Sequence, residues 1–314
     1  MFNKFFITKD SEIKFFFVLA TALALLFIIS FTIGSRVERK DNSVPTKTAS
    51  GEFPVLDVKA KSAYIYDVRT KTVLFALNEN IRLPLASLSK LMAALVAYEL
   101  SPDYGTVMVT REAIATEGDS GLKAGERWSL KNLLDFSLLS SSNDGIKAVA
   151  LSLGALSRAE AGPEEIVDDF VRKMNYKAAE LDLKNTYFWN ETGLDESEVK
   201  GGAYGTAKDL TALMEYIISY YPEMLEATRQ PSATFKSDKY NHAIKNTNAL
   251  ADEIPNLLGS KTGFTSTAGG NLTFAFDPEL GRPIIVTILG STEKGRFEDA
   301  KALINATMQY INEN

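Results

Sequence analysis

The sequence of 314 residues contains no cysteine. This absence excludes disulfide bonds, thiolate zinc sites and cysteine nucleophiles. Histidine is almost as scarce, because His242 is the single one in the chain. A histidine-rich metal site is therefore excluded, and any serine–histidine–aspartate triad would have to use His242.

The chain also lacks an excess of basic residues. Lysine and arginine together number 34, against 40 aspartates and glutamates, which gives a net charge of −6. Such a balance does not neutralise phosphates, so we expect no binding to nucleic acid. Hydrophobic residues make up 45% of the sequence and charged residues 24%, which is typical of a globular protein.

Residues 15–34 form a run without a charged side chain. At about 1.5 Å of rise per residue, a helix of this length spans a hydrocarbon layer of about 30 Å. The run is longer than the apolar part of a secretory signal, and no small-x-small cleavage site follows it. We therefore expect a cytoplasmic tail in 1–14, a transmembrane anchor in 15–34 and the rest of the chain outside the cytoplasm. A cleaved signal peptide is the alternative.

The segment 35–56 is polar, contains two prolines and has no apolar periodicity, which is typical of a flexible stalk. Beyond it the apolar pattern is regular to the end of the chain, without a second linker. Residues 57–314 are therefore expected to form one folded domain.

The 57–314 domain is predicted to have strands at both ends and helices between them. Runs at 64–66 and 73–75 flank a polar turn and predict a hairpin. Alternation over 270–276 and an apolar run over 284–289 predict two more strands. Apolar residues at helical spacing predict helices from about Ser87 and over 130–139, 146–153, 170–181 and 297–311. One antiparallel sheet flanked by helices gives an α+β fold.

The segment Ser87-Leu88-Ser89-Lys90 is a Ser-x-x-Lys motif at the start of a predicted helix. At that position free backbone N–H groups and the helix dipole face the Ser87 hydroxyl, and Lys90 lies one turn away on the same face. A desolvated lysine with a lowered pKa can activate a serine where no histidine is available. The alternative is an ordinary N-cap serine beside a solvated lysine. The same pattern recurs at Ser11, Ser120, Ser197 and Ser291.

Two further motifs each occur once in the chain. Ser141-Ser142-Asn143 lies between two predicted helices, where a polar turn without function is the alternative interpretation. Lys261-Thr262-Gly263 precedes a β-rich region. A lysine, a hydroxyl and a residue without a side chain at a strand edge can hold an anionic substrate against the backbone, although a turn between strands is the alternative.

The three motifs in this order are those of class A β-lactamases and penicillin-binding proteins. From about residue 57 to its end, the chain resembles the serine-type D-alanyl-D-alanine carboxypeptidases, which are low-molecular-mass penicillin-binding proteins. The resemblance implies a DD-peptidase/β-lactamase-like fold. It is carried by the segments 84–92, 125–144, 185–195, 206–210 and 259–269.

This resemblance implies a catalytic group. Ser87 would attack the D-Ala-D-Ala carbonyl of a peptidoglycan stem peptide and form an acyl-enzyme, which water then hydrolyses. Lys90 would accept the serine proton, and Asn143 would orient Lys90 and the substrate amide. Ser141 and Lys261 would relay a proton to the leaving D-alanine. This chemistry needs no metal and no cofactor.

The resemblance also implies a substrate-binding strand. Thr262 would bind the terminal carboxylate, and Gly263 would keep the strand open for the peptide. The backbone N–H groups of Ser87 and Phe264 would form an oxyanion hole, which is often worth ~3–4 kcal/mol per donor. β-Lactams are implied as covalent inhibitors.

The chain departs from the family at several positions. Thr247 stands where many members have an arginine between two asparagines, so carboxylate binding would rest on Thr262 and Lys261. His242 has no place in the mechanism and is expected to be a surface or packing residue. A carboxypeptidase is favoured; a DD-endopeptidase, a class A-like β-lactamase of the same fold and a non-catalytic wall-binding module are the alternatives.

Glu191 stands where the family usually has proline. With Leu194 and Asp195 it imitates the Glu-x-x-Leu-Asn loop whose glutamate hydrolyses the acyl-enzyme in class A β-lactamases. A carboxylate there could activate water as a general base. We nevertheless expect a solvated loop residue and a slowly decaying penicilloyl-enzyme. On this view Glu191→Gln changes the decay less than ~3-fold.

Overall fold

The computed structural model describes residues 52–101, 105–156 and 160–314. In chain order its strands are β1 (Ser62–Asp67), β2 (Thr72–Leu77), β3 (Leu83–Pro84), β4 (Thr106–Met108), β5 (Arg127–Ser129), β6 (Tyr187–Phe188), β7 (Ala203–Gly205), β8 (Ser232–Lys236), β9 (Asn241–Lys245), β10 (Leu257–Thr265), β11 (Gly269–Phe276) and β12 (Ile284–Ser291). The helices are α1 (Ser89–Leu100), α2 (Arg111–Ile114), α3 (Leu130–Ser140), α4 (Asn143–Gly154), α5 (Pro163–Glu180), α6 (Ala207–Tyr220) and α7 (Gly295–Glu313). Two 3-10 segments lie at Ala86–Leu88 and Pro222–Arg229.

The main sheet has five antiparallel strands in the order β10–β11–β12–β1–β2. Side chains of β12 alternate between its two faces, as a strand requires. Ile284, Val286 and Ile288 share an apolar core with Leu303 of α7. Ile285 belongs to a second core, which contains α1 and α6. The sheet is therefore covered by α7 on one face and by the other helices on the opposite face.

Helix α1 is buried along most of its length. All residues from Ser89 to Ala97 are buried, and the apolar ones come from every side of the helix. A helix that is apolar all round belongs in the interior of a protein. It packs against α4, α5 and α6. Its N-terminal end comes from the 3-10 segment, which lies against β10 at the edge of the sheet.

The predicted α+β fold with an antiparallel sheet and helices is confirmed. The hairpin is β1 and β2, and the two later strands are β11 and β12. The helix predicted from Ser87 begins at Ser89, because a 3-10 turn precedes it. The predicted tail, the predicted anchor and most of the predicted stalk lie outside the described residues. Within the part of the chain that is described, no helix has the length and apolar character needed to cross a membrane.

Candidate active site

Ser87 lies on a strained turn ahead of α1. Ala86 has a left-handed backbone, with φ of 49°, which is costly for a residue with a side chain. Its carbonyl accepts a hydrogen bond from Ser89 Oγ at 2.7 Å. Gly193 packs so closely that an added Cβ would lie 1.9 Å from the same carbonyl oxygen. These contacts fix the turn and hold the Ser87 side chain half-buried at its place.

Lys90 faces Ser87 from the first turn of α1. Its Nζ donates to Ser87 Oγ at 2.7 Å and to the Thr192 carbonyl at 2.9 Å. The side chain is fully buried, and this burial lowers the pKa of Lys90 to about 7, although the charge of Glu191 opposes the shift. Near neutral pH a large fraction of Lys90 is therefore uncharged and able to accept the serine proton.

The turn between α3 and α4 presents the second motif. Ser141 ends α3 in the left-handed conformation, with φ of 61°. Ser142 is the N-cap of α4, and its hydroxyl accepts from Gly145 N at 2.9 Å. The cap explains why two helices meet at this sequence, and the left-handed residue turns the chain sharply between them.

Asn143 contacts the Glu117 carbonyl rather than Lys90. Its Nδ2 donates to that oxygen at 2.7 Å, whereas Lys90 Nζ binds Ser87 and the Thr192 carbonyl. The contact by which Asn143 would orient Lys90 is therefore not formed. The Oδ1 atom of Asn143 is buried without a hydrogen-bond partner, and a substrate N–H could satisfy it.

Lys261 and Ser141 form a second lysine–serine pair. Lys261 Nζ donates to Ser141 Oγ at 2.8 Å and to the Thr262 carbonyl at 2.8 Å. Burial holds the pKa of Lys261 well below its usual value, and the charges of Lys90 and Arg296 add to the effect. Two buried amines that repel each other do not both hold a proton readily.

The edge strand β10 approaches Ser87 directly because residue 263 has no side chain. An added Cβ on Gly263 would lie 2.8 Å from the Leu85 carbonyl and 3.2 Å from Ser87 N. The Gly263 carbonyl accepts a hydrogen bond from Arg296 Nη1 at 2.7 Å. Arg296, a buried residue of α7 that the sequence analysis missed, thus fixes the strand. Phe264 follows and is 47% exposed.

Thr262 pairs with Thr247, the residue that replaces the arginine of the family. The Thr262 hydroxyl donates to Thr247 Oγ1 at 2.7 Å, and the Thr247 hydroxyl lies 3.4 Å from the Leu139 carbonyl. Two neutral hydroxyls therefore occupy the place where carboxylate binding was expected. A cavity of about 350 Å³, lined by residues 118–120, 140–143, 244 and 245, includes Ser141 and Asn143 in its wall.

The prediction that Glu191 is a solvated loop residue is wrong. It is only 2% exposed, and its Oε1 lies 3.2 Å from Lys147 Nζ. Its loop is folded inward by Asn190, whose Oδ1 accepts from Gly193 N at 2.7 Å and whose Nδ2 donates to the Leu194 carbonyl at 2.9 Å. This local turn, which composition does not reveal, buries the carboxylate.

His242 is a packing residue with a buried partner. Its Nε2 lies 2.8 Å from Glu126 Oε2, an oxygen that also accepts from Trp128 Nε1 at 3.1 Å. The imidazole ring packs against the Trp128 ring with centroids 5.1 Å apart. None of these partners belongs to the two lysine–serine pairs.

Comparison with known proteins gives concordant matches. Residues 46–292 match the sequence family described as D-alanyl-D-alanine carboxypeptidase. The chain is 34% identical over 265 residues to D-alanyl-D-alanine carboxypeptidase DacF of Bacillus subtilis, which covers 80% of this chain and 63% of that relative. It is 31% identical over 254 residues to a D-alanyl-D-alanine endopeptidase of Escherichia coli, covering 79% of this chain and 76% of that one.

The fold is also that of a solved penicillin-binding protein. The crystal structure of penicillin-binding protein D2 from Listeria monocytogenes, in its ampicillin-bound form, matches with a TM-score of 0.67 and 31% identity. The match covers 81% of this chain and 98% of that structure. Since the family match extends over most of the residues described above, the chain belongs to the D-alanyl-D-alanine carboxypeptidase family.

Proposed function

We propose that this chain is a serine-type D-Ala-D-Ala carboxypeptidase that trims peptidoglycan stem peptides. One observation carries the proposal: Lys90 Nζ lies 2.7 Å from Ser87 Oγ, and burial lowers the pKa of this lysine to about 7. Lys90 accepts the hydroxyl proton as Ser87 Oγ bonds to the carbonyl carbon of the penultimate D-alanine. The backbone N–H groups of Ser87 and Phe264 stabilise the resulting oxyanion.

The second lysine–serine pair serves the leaving group. As the C–N bond breaks, the Ser141 hydroxyl gives a proton to the nitrogen of the departing D-alanine. Lys261, whose Nζ donates to Ser141 Oγ at 2.8 Å, gives a proton back to Ser141. The proton that Lys90 took from Ser87 makes up for the one that Lys261 gives away. Water then attacks the Ser87 ester, which releases the trimmed peptide and returns a proton to Ser87 Oγ.

The first prediction concerns the nucleophile. Ser87→Ala is expected to abolish both peptidase activity and covalent labelling by a fluorescent penicillin, because it removes the attacking oxygen and leaves the fold intact. Ser197→Ala is the matched control, since Ser197 opens another Ser-x-x-Lys pattern in an exposed loop. Labelling that persists in Ser87→Ala at the parent level would contradict the assignment.

The same labelling separates the other candidate functions. Stable labelling of the parent chain at Ser87 supports a DD-peptidase. Rapid turnover of the label supports a β-lactamase, and no labelling supports a non-catalytic wall-binding module. Each outcome therefore selects a different class of protein.

A DD-endopeptidase is a second candidate, favoured by the hydroxyl pair. Thr262 donates to Thr247 at 2.7 Å, where an arginine would supply a charged partner for a terminal carboxylate. Two neutral hydroxyls suit a peptide that continues beyond the scissile bond as well as they suit a free carboxylate. The relative from Escherichia coli, named an endopeptidase, is 31% identical to this chain.

We also propose that residues 15–34 anchor the chain in the cell membrane, with the catalytic domain on the extracytoplasmic side. The uncharged run supports the anchor, and a peptidoglycan substrate lies on that side of the membrane. The stalk of 35–56, fully extended, reaches at most ~77 Å at ~3.5 Å per residue.

A further inference from the structure

Glu191 is a buried carboxylate that the steps above do not use. Its Oε1 pairs with Lys147 Nζ at 3.2 Å, but its Oε2 is buried without a hydrogen-bond partner. The Lys147 side chain is 27% exposed, against 2% for that of Glu191. Burying a carboxylate with only one half-solvated partner is costly. An apolar residue would fill the position without that cost. The buried charge of Glu191 therefore indicates a role other than packing.

The backbone links Glu191 directly to the base. Thr192, the next residue, provides the carbonyl that accepts from Lys90 Nζ at 2.9 Å. Asn190, the preceding residue, closes the turn through its bond from Gly193 N. The loop that buries the Glu191 side chain therefore also supplies the carbonyl that holds the Lys90 amine beside Ser87.

Charged side chains from different elements act on the two lysines. Glu191 acts on Lys90 from the loop before β7, and Arg296 acts on Lys261 from α7. The charges of Lys90 and Arg296 disfavour a proton on Lys261, whereas the Glu191 carboxylate favours one on Lys90. Lys147 of α4 pairs with the Glu191 carboxylate, with Nζ 3.2 Å from Oε1.

We propose that Glu191, held by Lys147, is a positioning residue that acts through Lys90. Its loop orients the amine toward Ser87, and its negative charge stabilises the ammonium that Lys90 becomes after taking the serine proton. The inference rests on the proposed function, because it assumes that Lys90 is the base. A solvated Glu191 led us to expect only a small effect of Glu191→Gln on the decay of the penicilloyl-enzyme. Because the carboxylate is buried, we now expect the substitution to change acylation as well.

The test is the pH dependence of acylation by a fluorescent penicillin, measured as the second-order rate constant between pH 5 and 9. In the parent the rate falls on the acidic side, because protonated Lys90 cannot accept the Ser87 proton. Glu191→Gln removes the charge that favours this protonation, so the acidic limb moves to lower pH. The less basic amine also lowers the plateau rate by about 3-fold or more.

Two variants make the shift specific. Glu198→Gln, an exposed glutamate of the same loop, is the matched control and leaves the profile unchanged. Lys147→Met frees the carboxylate to pair with Lys90, so its acidic limb moves to higher pH. Opposite shifts in Glu191→Gln and Lys147→Met cannot come from a general loosening of the fold. Either variant alone tests the direction in which the charge of Glu191 moves the acidic limb.

The inference is overturned by an acidic limb that stays in place in Glu191→Gln, or by one that moves to higher pH. If Glu191→Gln does not fold, an unchanged or lowered limb in Lys147→Met overturns it. Failure of the proposed function looks different, because the parent chain would then show no labelling at Ser87.

Discussion

At the residue scale, burial decides the chemistry of both lysines. Lys90 and Lys261 are each 1% exposed or less, and burial is the largest cause of the lowered pKa of each. Each amine donates to one serine hydroxyl and one backbone carbonyl. Neutral hydrogen-bond partners satisfy the amines without stabilising a positive charge as a carboxylate contact would. The chain therefore places two amines of lowered pKa beside serine hydroxyls without using its single histidine.

Thr247→Arg tests whether the hydroxyl pair limits recognition of a terminal carboxylate. The variant places a guanidinium near Thr262, and a bidentate arginine–carboxylate pair is strong and charge-assisted. We expect KM for a peptide ending in D-Ala-D-Ala to fall by about tenfold, which corresponds to ~1.4 kcal/mol. Steady-state kinetics with this peptide and with its C-terminal amide give the measurement.

The amide is the internal control for this prediction, because it lacks the negative charge. Thr234→Arg is the matched variant, since it adds the same charge at an exposed position of β8. An equal gain for the amide, or an equal gain in Thr234→Arg, would show that carboxylate pairing at residue 247 is not the cause.

Sequence patterns predicted the residues whose roles depend on short spacings. Ser87 and Lys90 are three residues apart on one helical turn, and their hydroxyl and amine do meet. Arg296 could not be found in this way, because its contact with Gly263 joins residues 33 positions apart. The burial of Glu191 depends on a loop turn closed by Asn190, and no periodicity encodes such a turn.

At the element scale, α7 holds β10, the edge strand beside Ser87, in place. Arg296 lies in the first turn of α7, and its Nη1 donates to the Gly263 carbonyl at 2.7 Å. The same helix covers one face of the sheet through Leu303 and its neighbours. The C-terminal helix thus connects the sheet core to the residue that lies against Ser87.

Arg296→Leu is expected to lower the free energy of unfolding by about 1–3 kcal/mol, because the Gly263 carbonyl loses its buried donor. Acylation is expected to slow about tenfold or more, since β10 is then less well fixed beside Ser87. Urea unfolding and penicillin labelling measure the two effects. Arg172→Leu, which breaks an exposed ion pair on α5, should change stability by less than about 0.5 kcal/mol. Unchanged acylation in Arg296→Leu would contradict the role of α7.

Most elements with a strong apolar period were predicted, whereas the short elements without one were not. β11 and β12 are eight residues long with nearly continuous burial, and both were predicted. The hairpin of β8 and β9 was not, because its residues alternate between exposed and half-buried and contain few large apolar side chains. Helix α6 was also missed, although Leu210, Leu213 and Ile217 recur at helical spacing and are buried.

At the scale of the whole molecule, the chain has two parts of different composition, an uncharged N-terminal run and a folded part. The described residues bury apolar side chains on both faces of the sheet and carry both lysine–serine pairs. The run of 15–34 is uncharged and contains none of the residues of the lysine–serine pairs. A proposal for each part can therefore be tested by separating the two.

The last prediction is that the full chain fractionates with membranes and is released by detergent but not by high salt. Residues 15–34 carry no charge, so burial in hydrocarbon rather than charge pairing would hold them. A chain shortened to begin at Gly51 should be soluble and should label with penicillin at the rate of the full chain, because every catalytic side chain follows it.

A double substitution of Leu25→Arg and Leu26→Arg is the matched variant. It should weaken the association with membranes, since each central charge costs ~2.5–3.5 kcal/mol in a membrane helix. A mature protein that begins near Ser35 and is freely soluble would instead identify the run as a cleaved signal.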